Sequence, residues 1–313
     1  MIGGYMNKQQ KILILGGTGM LGHLLLRYLS ACPEYAVTAT ARSLIGLKNY
    51  FTTDILARFL QANVDANYFD SIVRAVASVR PDVVINCIGI IKQLPQADDP
   101  LMAITVNALL PHRISLICRA AGARMIHIST DCVFDGKKGM YSEKDTSSAE
   151  DLYGRTKFLG EVGYPHCMTL RTSIIGHELK GGFALIEWFL AQQQKVRGFR
   201  KVIYSGFPTV EIARIIRDYI LPNHELKGVY HVSSEPISKY DLLCLVAKQY
   251  GKRIEIEPYD DFVQDRSLNS SVFCKVTGYK PPLWGKLVEM MHNDFIKNRS
   301  FYSATEIEDG RQA

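Results

Sequence analysis

Several features are scarce in this chain of 313 residues, and each absence narrows the class of protein. The seven cysteines are scattered and include no CxxC pair, so neither a disulfide framework nor a zinc site is indicated. We therefore expect reduced thiols, a cytoplasmic location and no bound metal. Residues 1–10 lack the apolar core of a signal peptide, and we find no apolar run of the ~18–20 residues that a membrane helix needs.

Charge of one sign is also not concentrated anywhere along the chain. The formal net charge is +6 and the charged fraction is 22%, with Lys and Arg dispersed among acidic residues. This distribution argues against a nucleic-acid partner. A modest positive surplus suits an enzyme whose cofactor and substrate both contain phosphate. An apolar fraction of 47% and this length allow one large α/β domain and a smaller one.

Apolar runs typical of buried parallel strands alternate with amphipathic stretches in the first half of the chain. The predicted strands are Lys11–Leu15, Ala36–Ala41, a weaker one within Ala57–Val64, Val83–Ile88 and Met125–Ser129. The predicted helices between them are Met20–Ser30, Tyr68–Val79 and Asp98–Ala121, the last followed by a capping Gly122. This alternation predicts a doubly wound parallel sheet of the Rossmann type.

The alternation becomes irregular after about residue 175. Helices are predicted over Val210–Ile220 and Lys239–Tyr250, with a strand at Gly228–Val232. We expect a cofactor-binding domain formed by residues 11–175 and roughly 206–232. Roughly 176–205 and 233–302 would form a smaller, interleaved α/β domain for substrate. Residues 1–10 and 303–313 are predicted to be flexible tails.

A glycine-rich turn follows the first predicted strand and precedes the first predicted helix. Glycines permit a tight turn and a close approach to a pyrophosphate, which the helix N-terminus attracts. Gly17, Gly19 and Gly22 spell GxGxxG, whereas Gly16, Gly19 and Gly22 spell GxxGxxG. Spacing alone does not choose between them, and an ordinary βα turn is the alternative. The context favours a dinucleotide site.

The end of the second predicted strand indicates which dinucleotide is bound. NAD enzymes usually place an acidic residue there to hold the ribose 2′-hydroxyl, but this strand runs into Arg42 and Ser43. The planar guanidinium of Arg42 could pair with a 2′-phosphate. NADP(H) is therefore favoured, with NADH possible, unless Arg42 is only a surface residue.

Tyr153 and Lys157 form a YxxxK pattern, which places both side chains on one face of a helix. Ser148 and Asp151 resemble a capping box at the start of that helix. Tyrosine ordinarily has a pKa near ~10, and a neighbouring ammonium would lower it by stabilising the phenolate. The pair could then act as a general acid. The alternative is an exposed helix face without function.

Taken together, these motifs resemble the extended, sugar-nucleotide branch of the short-chain dehydrogenase/reductase superfamily. The closest resemblance is to dTDP-4-dehydrorhamnose reductase-like proteins, through the stretch STDCVFDG at residues 129–136. The residues that match the family pattern are the glycine turn 16–22, Asn86, Asn107, Tyr141, Glu143, Asp145, Tyr153, Lys157, Gly160 and Glu161. Their order and positions match over most of the chain.

The resemblance implies roles for individual residues. Thr130 would hydrogen-bond the ketone oxygen, Tyr153 would give it a proton, and Lys157 would also bind the nicotinamide ribose. The residues implied for the remainder of the cofactor are Gly16, Thr18, Gly19, Met20 and Leu21 at the pyrophosphate, Asp65 and Ala66 near the adenine, Cys87, Ile88 and Gly89 along the cofactor backbone, and Ile174 beside the nicotinamide.

Residues after Thr130 distinguish among the chemistries of this branch. The resemblance implies Glu two residues after that Thr in dehydratases, whereas this chain has Cys132, which disfavours dehydration. Relatives that epimerise before reducing use a Cys there and a loop His, which would be Cys132 and His177. A thiol and an imidazole can exchange a proton beside a ketone. The simpler interpretation is that Cys132 is a small buried residue and His177 a polar loop residue.

The sequence therefore predicts a reductase of a 4-keto-6-deoxy sugar that is linked to UDP or dTDP, with or without an acetamido group. Asp131, Cys132, His177 and Arg266 are its candidate substrate contacts, with Arg266 favoured for the diphosphate. Polysaccharide or O-antigen synthesis would be its setting, with a possible homodimer and no nucleic acid or membrane as partner. The rival class is a non-catalytic NADP-binding regulatory subunit, because the methionine adenosyltransferase β subunit resembles the same reductases.

Overall fold

A computed structural model describes residues 8–93 and 95–302 of the chain. The strands in chain order are β1 (Gln10–Leu15), β2 (Tyr35–Thr40), β3 (Leu60–Gln61), β4 (Val83–Asn86), β5 (Arg124–Ile128), β6 (Cys167–Arg171), β7 (Ile174–Ile175), β8 (Val196–Phe199), β9 (Val202–Tyr204), β10 (Phe207–Pro208), β11 (Gly228–His231), β12 (Ile237–Ser238), β13 (Ile256–Tyr259) and β14 (Gln264–Asp265). The predicted tails at 1–7 and 303–313 lie outside the described residues.

The helices lie between these strands and after them. They are α1 (Gly22–Ser30), α2 (Thr53–Phe59), α3 (Phe69–Val79), α4 (Pro100–Ala103), α5 (Leu110–Ala121), α6 (Leu152–Leu159), α7 (Leu185–Ala191), α8 (Thr209–Ile215), α9 (Lys239–Tyr250), α10 (Ser271–Thr277) and α11 (Trp284–Lys297). Two π-helical segments, Ile104–Leu109 and Ile216–Ile220, continue α4 into α5 and extend α8. Short 3₁₀ turns occupy Leu47–Asn49, Pro95–Asp98, Asp131–Val133 and Arg299–Phe301.

Seven of the strands form one parallel sheet, in the order β11-β6-β5-β4-β1-β2-β3. The direction of winding reverses at β1, which pairs with β2 on one side and with β4 on the other. Ile12 and Ile14 of β1 face one apolar cluster, and Leu13 and Leu15 face the other, all with no exposed surface. Apolar layers on both faces of the sheet confirm the doubly wound Rossmann-type fold.

The remaining strands lie outside the main sheet, and those within the predicted substrate domain (β8, β9, β12, β13 and β14) belong to the smaller part of the molecule. They pair as β7 with β10, β8 with β13, and β9 with β12 and β14. The strand predicted at Gly228–Val232 is β11, and it joins the main sheet beside β6. An interleaved arrangement of this kind agrees with the sequence expectation, although the domain boundaries themselves stay a prediction.

Three elements differ from the sequence expectation. Met20 and Leu21 precede α1 instead of opening it. The weak third strand has only two residues, because α2 occupies the chain up to Phe59 after a cap in which Thr52 accepts the N–H of Ile55. The helix predicted over Asp98–Ala121 contains a π segment, since Pro111 has no N–H for the carbonyl of Asn107.

The segment Pro100–Ala121 also corrects the expectation about apolar runs. It has 22 residues, and an 18-residue stretch of it has a mean hydropathy of 1.5, so it is long and apolar enough to cross a membrane by length and composition alone. Half of its apolar window is buried, and α5 packs against α3 and β5. The guanidinium of Arg113 stacks 3.7 Å from the centre of the Phe69 ring. The core helix of a soluble domain meets the same criterion.

Candidate active site

A cavity of about 620 Å³ opens at the carboxyl ends of the parallel strands, where the smaller part of the molecule faces the sheet. In open α/β sheets, ligands bind in this crevice at the point where the strand order reverses. Its walls are the turn 18–22 after β1, the loop 87–93 after β4, residues 128–132 at the end of β5, and residues 172–175 after β6. Its lining also includes Glu178, Lys180, Tyr204, Lys239 and Arg266.

The glycine turn is built by close backbone contacts. Gly16 has a φ of +84°, and a Cβ on Gly22 would lie 2.0 Å from the carbonyl oxygen of Gly16. A Cβ on Gly17 would lie 2.6 Å from the Cβ of Ala39 in β2. Glycines from both candidate spacings are therefore required. Gly16 and Gly22 allow the turn to close, and Gly17 allows the end of β1 to lie close to β2.

Backbone N–H groups of this turn are available to an anion. Among the described residues, no acceptor is found for the amides of Thr18, Met20 and Leu21. They precede α1, whose N-terminus has a partial positive charge. Unpaired N–H groups at a helix start fit the pyrophosphate of a dinucleotide.

The predicted catalytic residues line the same cavity as this turn. Helix α6 approaches the end of β5 closely, because a Cβ on Gly154 would lie 2.2 Å from the carbonyl oxygen of Cys132. This contact brings Tyr153 beside Thr130, whose hydroxyl donates to Asp131 Oδ1 at 3.1 Å. The ammonium of Lys157 donates to the carbonyl oxygen of Ile128 at 2.8 Å.

The start of α6 differs in detail from the predicted capping box. Asp151 is itself the N-cap, and its carboxylate accepts the N–H of Gly154 at 2.7 Å. Ser148 instead accepts the N–H of Asp135 at 3.0 Å. The cap therefore lies three residues later than expected, two residues before Tyr153.

Protonation at the site is controlled by burial. Burial lowers the pKa of Lys157 to about 8, against the opposing effect of the Glu161 carboxylate. Burial, and then the neighbouring Cys132, raise the pKa of the Tyr153 phenol well above its usual value. The expectation that Lys157 lowers the pKa of Tyr153 is therefore wrong, because desolvation dominates in this structure. The phenol is consequently protonated at neutral pH.

Arg266 reaches the same wall from the smaller part of the molecule. Its Nε donates to the carbonyl oxygen of Phe134 at 2.9 Å, and its Nη1 lies 3.5 Å from Cys132 Sγ. Burial raises the pKa of Asp131, opposed first by Arg266. Burial and the Asp131 carboxylate raise the pKa of Cys132 to about 12. The Cys132 thiol is thus a poor base at neutral pH.

The structure does not bring His177 to Cys132. Its Nδ1 is 2.6 Å from Glu187 Oε1, and its Nε2 is 2.9 Å from the hydroxyl of Tyr250. Its ring also stacks on Phe295 with centroids 4.0 Å apart. His177 is not among the described residues that line the cavity. The hypothesis of an acid–base pair with Cys132 therefore has no geometric support, because the imidazole is held in an aromatic cluster.

The other predicted cofactor residues divide into two groups. Those that line the cavity are Thr18, Gly19, Met20, Leu21, Cys87, Ile88, Gly89, Lys157 and Ile174. Those outside its lining are Gly16, Arg42, Asp65 and Ala66. Arg42 is exposed just beyond β2, and Asp65 accepts the N–H of Asn67 at 2.9 Å. The cofactor-binding roles of both groups stay predictions.

Further polar residues of the cavity were not singled out from the sequence. Lys92 pairs with Asp151 at 2.6 Å, and Lys239 begins α9 directly after its Ser238 cap. Tyr204 has a buried hydroxyl with no hydrogen-bond partner in the described part of the chain. Lys92 follows a predicted strand and Lys239 begins a predicted helix, so the sequence could have indicated both as cavity residues. Nothing in the pattern distinguishes Tyr204 from a core residue.

The chain has a doubly wound sheet, this glycine turn, and a cavity lined by Thr130, Tyr153 and Lys157. These features define a Rossmann-type protein of the short-chain dehydrogenase/reductase class. The family model described as RmlD substrate binding domain matches residues 10–289, so the chain belongs to that family.

Known proteins of two kinds are similar to the chain. Methionine adenosyltransferase 2 subunit beta of Danio rerio is 26% identical over 195 residues, which cover 58% of this chain and 60% of that protein. The dTDP-4-dehydrorhamnose reductase of Mycolicibacterium smegmatis is 31% identical over 170 residues, which cover 52% of this chain and 45% of that protein. These matches thus span about half to three-fifths of the relatives' own lengths.

A solved structure of similar fold is the dTDP-4-dehydrorhamnose reductase of Bacillus anthracis in complex with NADP. It superposes with a TM-score of 0.74 at 20% identity, covering 92% of this chain and 99% of that one. At this identity the likeness establishes the shared fold.

Proposed function

We propose that the chain is an NADP(H)-dependent reductase of the 4-keto group of a nucleotide-linked sugar. The observation that carries the proposal is the cavity in which the glycine turn faces Thr130, Tyr153 and Lys157. Family membership and the similarity to dTDP-4-dehydrorhamnose reductases support the same reaction class.

NADPH would supply the hydride when bound, and the chain's own residues would handle the proton. The hydroxyl of Tyr153, protonated at neutral pH, donates its proton to the oxygen of the reduced ketone. When its hydroxyl turns from Asp131 to that oxygen, Thr130 can hold it by a hydrogen bond, which stabilises the charge that develops on it. The ammonium of Lys157, one helical turn after Tyr153 in α6, would bind the nicotinamide ribose.

The finer details of the substrate belong to the same proposal. The cavity is lined by Lys92, Lys239 and Arg266, whose positive charges suit the diphosphate of a UDP- or dTDP-linked sugar. A 6-deoxy sugar, with or without an acetamido group, and a place in polysaccharide or O-antigen precursor synthesis follow from the family. We also propose a cytoplasmic location and leave a homodimer as a further expectation.

A second candidate function is a non-catalytic, NADP-binding regulatory subunit. The similarity to methionine adenosyltransferase 2 subunit beta is the observation that favours it. The presence of Thr130, Tyr153 and Lys157 on one cavity wall favours catalysis instead. Turnover of any keto-sugar nucleotide would exclude the regulatory function as the sole role.

The first experiment is a fluorescence titration of the protein with NADPH and with NADH, in the wild type and in Arg42→Ala. We expect the variant to raise the Kd for NADPH by about tenfold and to leave that for NADH little changed, because only NADPH has the 2′-phosphate. Arg58→Ala is the matched control, since Arg58 lies on neighbouring α2 with 70% of its side chain exposed. Consumption of NADPH with dTDP-4-dehydro-6-deoxy sugars then tests the reaction.

Each result has a distinct meaning. Equal binding of the two dinucleotides would remove Arg42 from its role but leave the reductase intact. Failure of the wild type to bind either one would overturn the oxidoreductase function.

A further inference from the structure

The carbonyl oxygen of Gly19 in the glycine turn is held by a buried side chain of α1. His23 has no exposed surface, and its Nδ1 lies 2.9 Å from this oxygen. The backbone N–H of His23 donates to the same oxygen at 3.0 Å. Because a carbonyl can only accept, Nδ1 must be the nitrogen that bears the proton. Burial lowers the pKa of His23 to about 3, so the ring is neutral and its tautomer is fixed.

Tyr302 completes this arrangement from the far end of the chain. Its hydroxyl lies 3.1 Å from His23 Nε2, although the two residues are 279 positions apart. With Nδ1 protonated, Nε2 is an acceptor and the tyrosine must donate. The rings meet edge to face, with centroids 5.8 Å apart. A continuous chain of hydrogen bonds therefore runs from Tyr302 through His23 to Gly19.

The C-terminal segment is anchored to the same side of the sheet by other contacts. Arg27 of α1 pairs with Asp294 of α11 at 2.7 Å, and both side chains are about nine-tenths buried. Phe301 meets Phe51 edge to face at 5.9 Å, and Phe51 belongs to the segment that follows β2. Helix α1 and the segment that follows β2 thus both pack on one C-terminal segment.

We propose that His23, fixed by Tyr302, is a positioning residue for the pyrophosphate of the dinucleotide. The carbonyl of Gly19 and the N–H of Met20 belong to one planar peptide group and point in opposite directions. A side chain that fixes the carbonyl therefore also fixes the direction of the free Met20 N–H at the cavity. This inference rests on the proposed dinucleotide site.

Two substitutions of His23 separate positioning from packing. In His23→Asn, the amide nitrogen takes the place of Nδ1 and can still donate to Gly19. In His23→Gln, the polar end lies where Nε2 was, and the bond to Gly19 is lost. We expect the Kd for NADPH to rise about tenfold in His23→Gln and by less than about threefold in His23→Asn. The melting temperature of each variant is measured beside it.

Two tyrosine variants provide a matched pair within the same aromatic cluster. Tyr302→Phe removes the donor to His23, and we expect a rise in the Kd for NADPH of about threefold. Tyr250→Phe removes the hydroxyl that contacts His177 at 2.9 Å, away from the turn. It should lower the melting temperature to a similar extent and leave the Kd unchanged.

The outcomes distinguish the inference from the function on which it rests. Weaker NADPH binding in His23→Gln with rescue in His23→Asn supports the inference. If the wild type binds NADPH and the Kd is unchanged in His23→Gln, the inference is overturned but the proposed function is not. A Kd that rises equally in both His23 variants, in step with their loss of stability, also overturns it. Absence of NADPH binding by the wild type overturns the proposed function and the inference together.

Discussion

The hydroxyl of Tyr153 keeps its proton because the phenolate would be poorly solvated where this side chain lies. Burial is the largest cause of its raised pKa, and Cys132 and Asp131 add to the effect. A reductase consumes a proton at the ketone oxygen, so a protonated phenol is the required form. Reduction at neutral pH thus needs no prior proton uptake by this residue.

Tyr153→Phe tests this assignment. We expect turnover to fall by about a hundredfold or more, because positioned general acids contribute roughly 10²–10⁴-fold. The Kd for NADPH should change by less than about threefold, since the ring is kept. Tyr164→Phe is the control, because Tyr164 is 44% exposed and its hydroxyl contacts His112 at 3.2 Å. Full turnover in Tyr153→Phe would show that another group gives the proton.

Sequence reasoning succeeded for single residues where position along a strand determines location. Thr130 follows β5 and Tyr153 opens α6, so the parallel topology brings both to one edge of the sheet. It could not indicate the environment of His177, which depends on Glu187, Tyr250 and Phe295 from other elements. It also failed for the pKa of Tyr153, because the extent of burial cannot be obtained from a YxxxK pattern.

At the scale of elements, the turn between β1 and α1 depends on the absence of side chains. A methyl group on Gly22 would come within 2.0 Å of the Gly16 carbonyl oxygen, which belongs to the backbone and cannot move aside. Helix α1 would have to shift from β1, and the free amides of the turn would move with it. Cofactor binding and the packing of α1 should therefore be lost together.

Gly22→Ala should lower the free energy of unfolding by about 1–3 kcal/mol and weaken NADPH binding strongly. Gly285→Ala is its control, since Gly285 lies in α11 and a Cβ there would have no atom of the described residues within 4 Å. That substitution should instead raise the free energy of unfolding by about 0.5–1 kcal/mol. Urea denaturation and fluorescence titration measure both effects. Wild-type affinity in Gly22→Ala would contradict the role given to the turn.

Most elements followed from hydrophobic periodicity, and the exceptions have local causes. The continuous apolar runs of β1, β4 and β5 predicted buried strands correctly because all three lie inside the sheet. The third strand lies within the predicted range but has only two residues, because its pairing with β2, not its own residues, defines where β3 begins and ends. The π segment before α5 depends on Pro111, whose effect on the preceding turn leaves no trace in the hydrophobic pattern.

At the scale of the whole molecule, three buried histidines link stability to pH. Burial lowers the pKa of His23 to about 3, that of His231 to about 4, and that of His127 well below its usual value. The unfolded chain has ordinary histidines with a pKa near ~6.5. Below that pH the unfolded state binds more protons than the folded state, so stability must fall as pH decreases.

We expect the free energy of unfolding to fall between about pH 6.5 and 5 by up to about 1.4 kcal/mol per pH unit for each buried histidine. Urea denaturation at several pH values measures this slope. His231→Gln should reduce this slope by the contribution of one histidine. The neutral imidazole of His231 accepts a hydrogen bond from Arg171 and donates one to the carbonyl of Tyr141. A flat profile over this interval would contradict the prediction.

The two edge strands of the central sheet also affect whether the protein can aggregate at high concentration. The strand at one edge, β3, has two residues, and the strand at the other edge, β11, has four. A foreign strand that aligned with either edge could form only a few ladder hydrogen bonds before the edge ended. Short edges of this kind hinder fibril growth by sheet extension, which long flat edges promote.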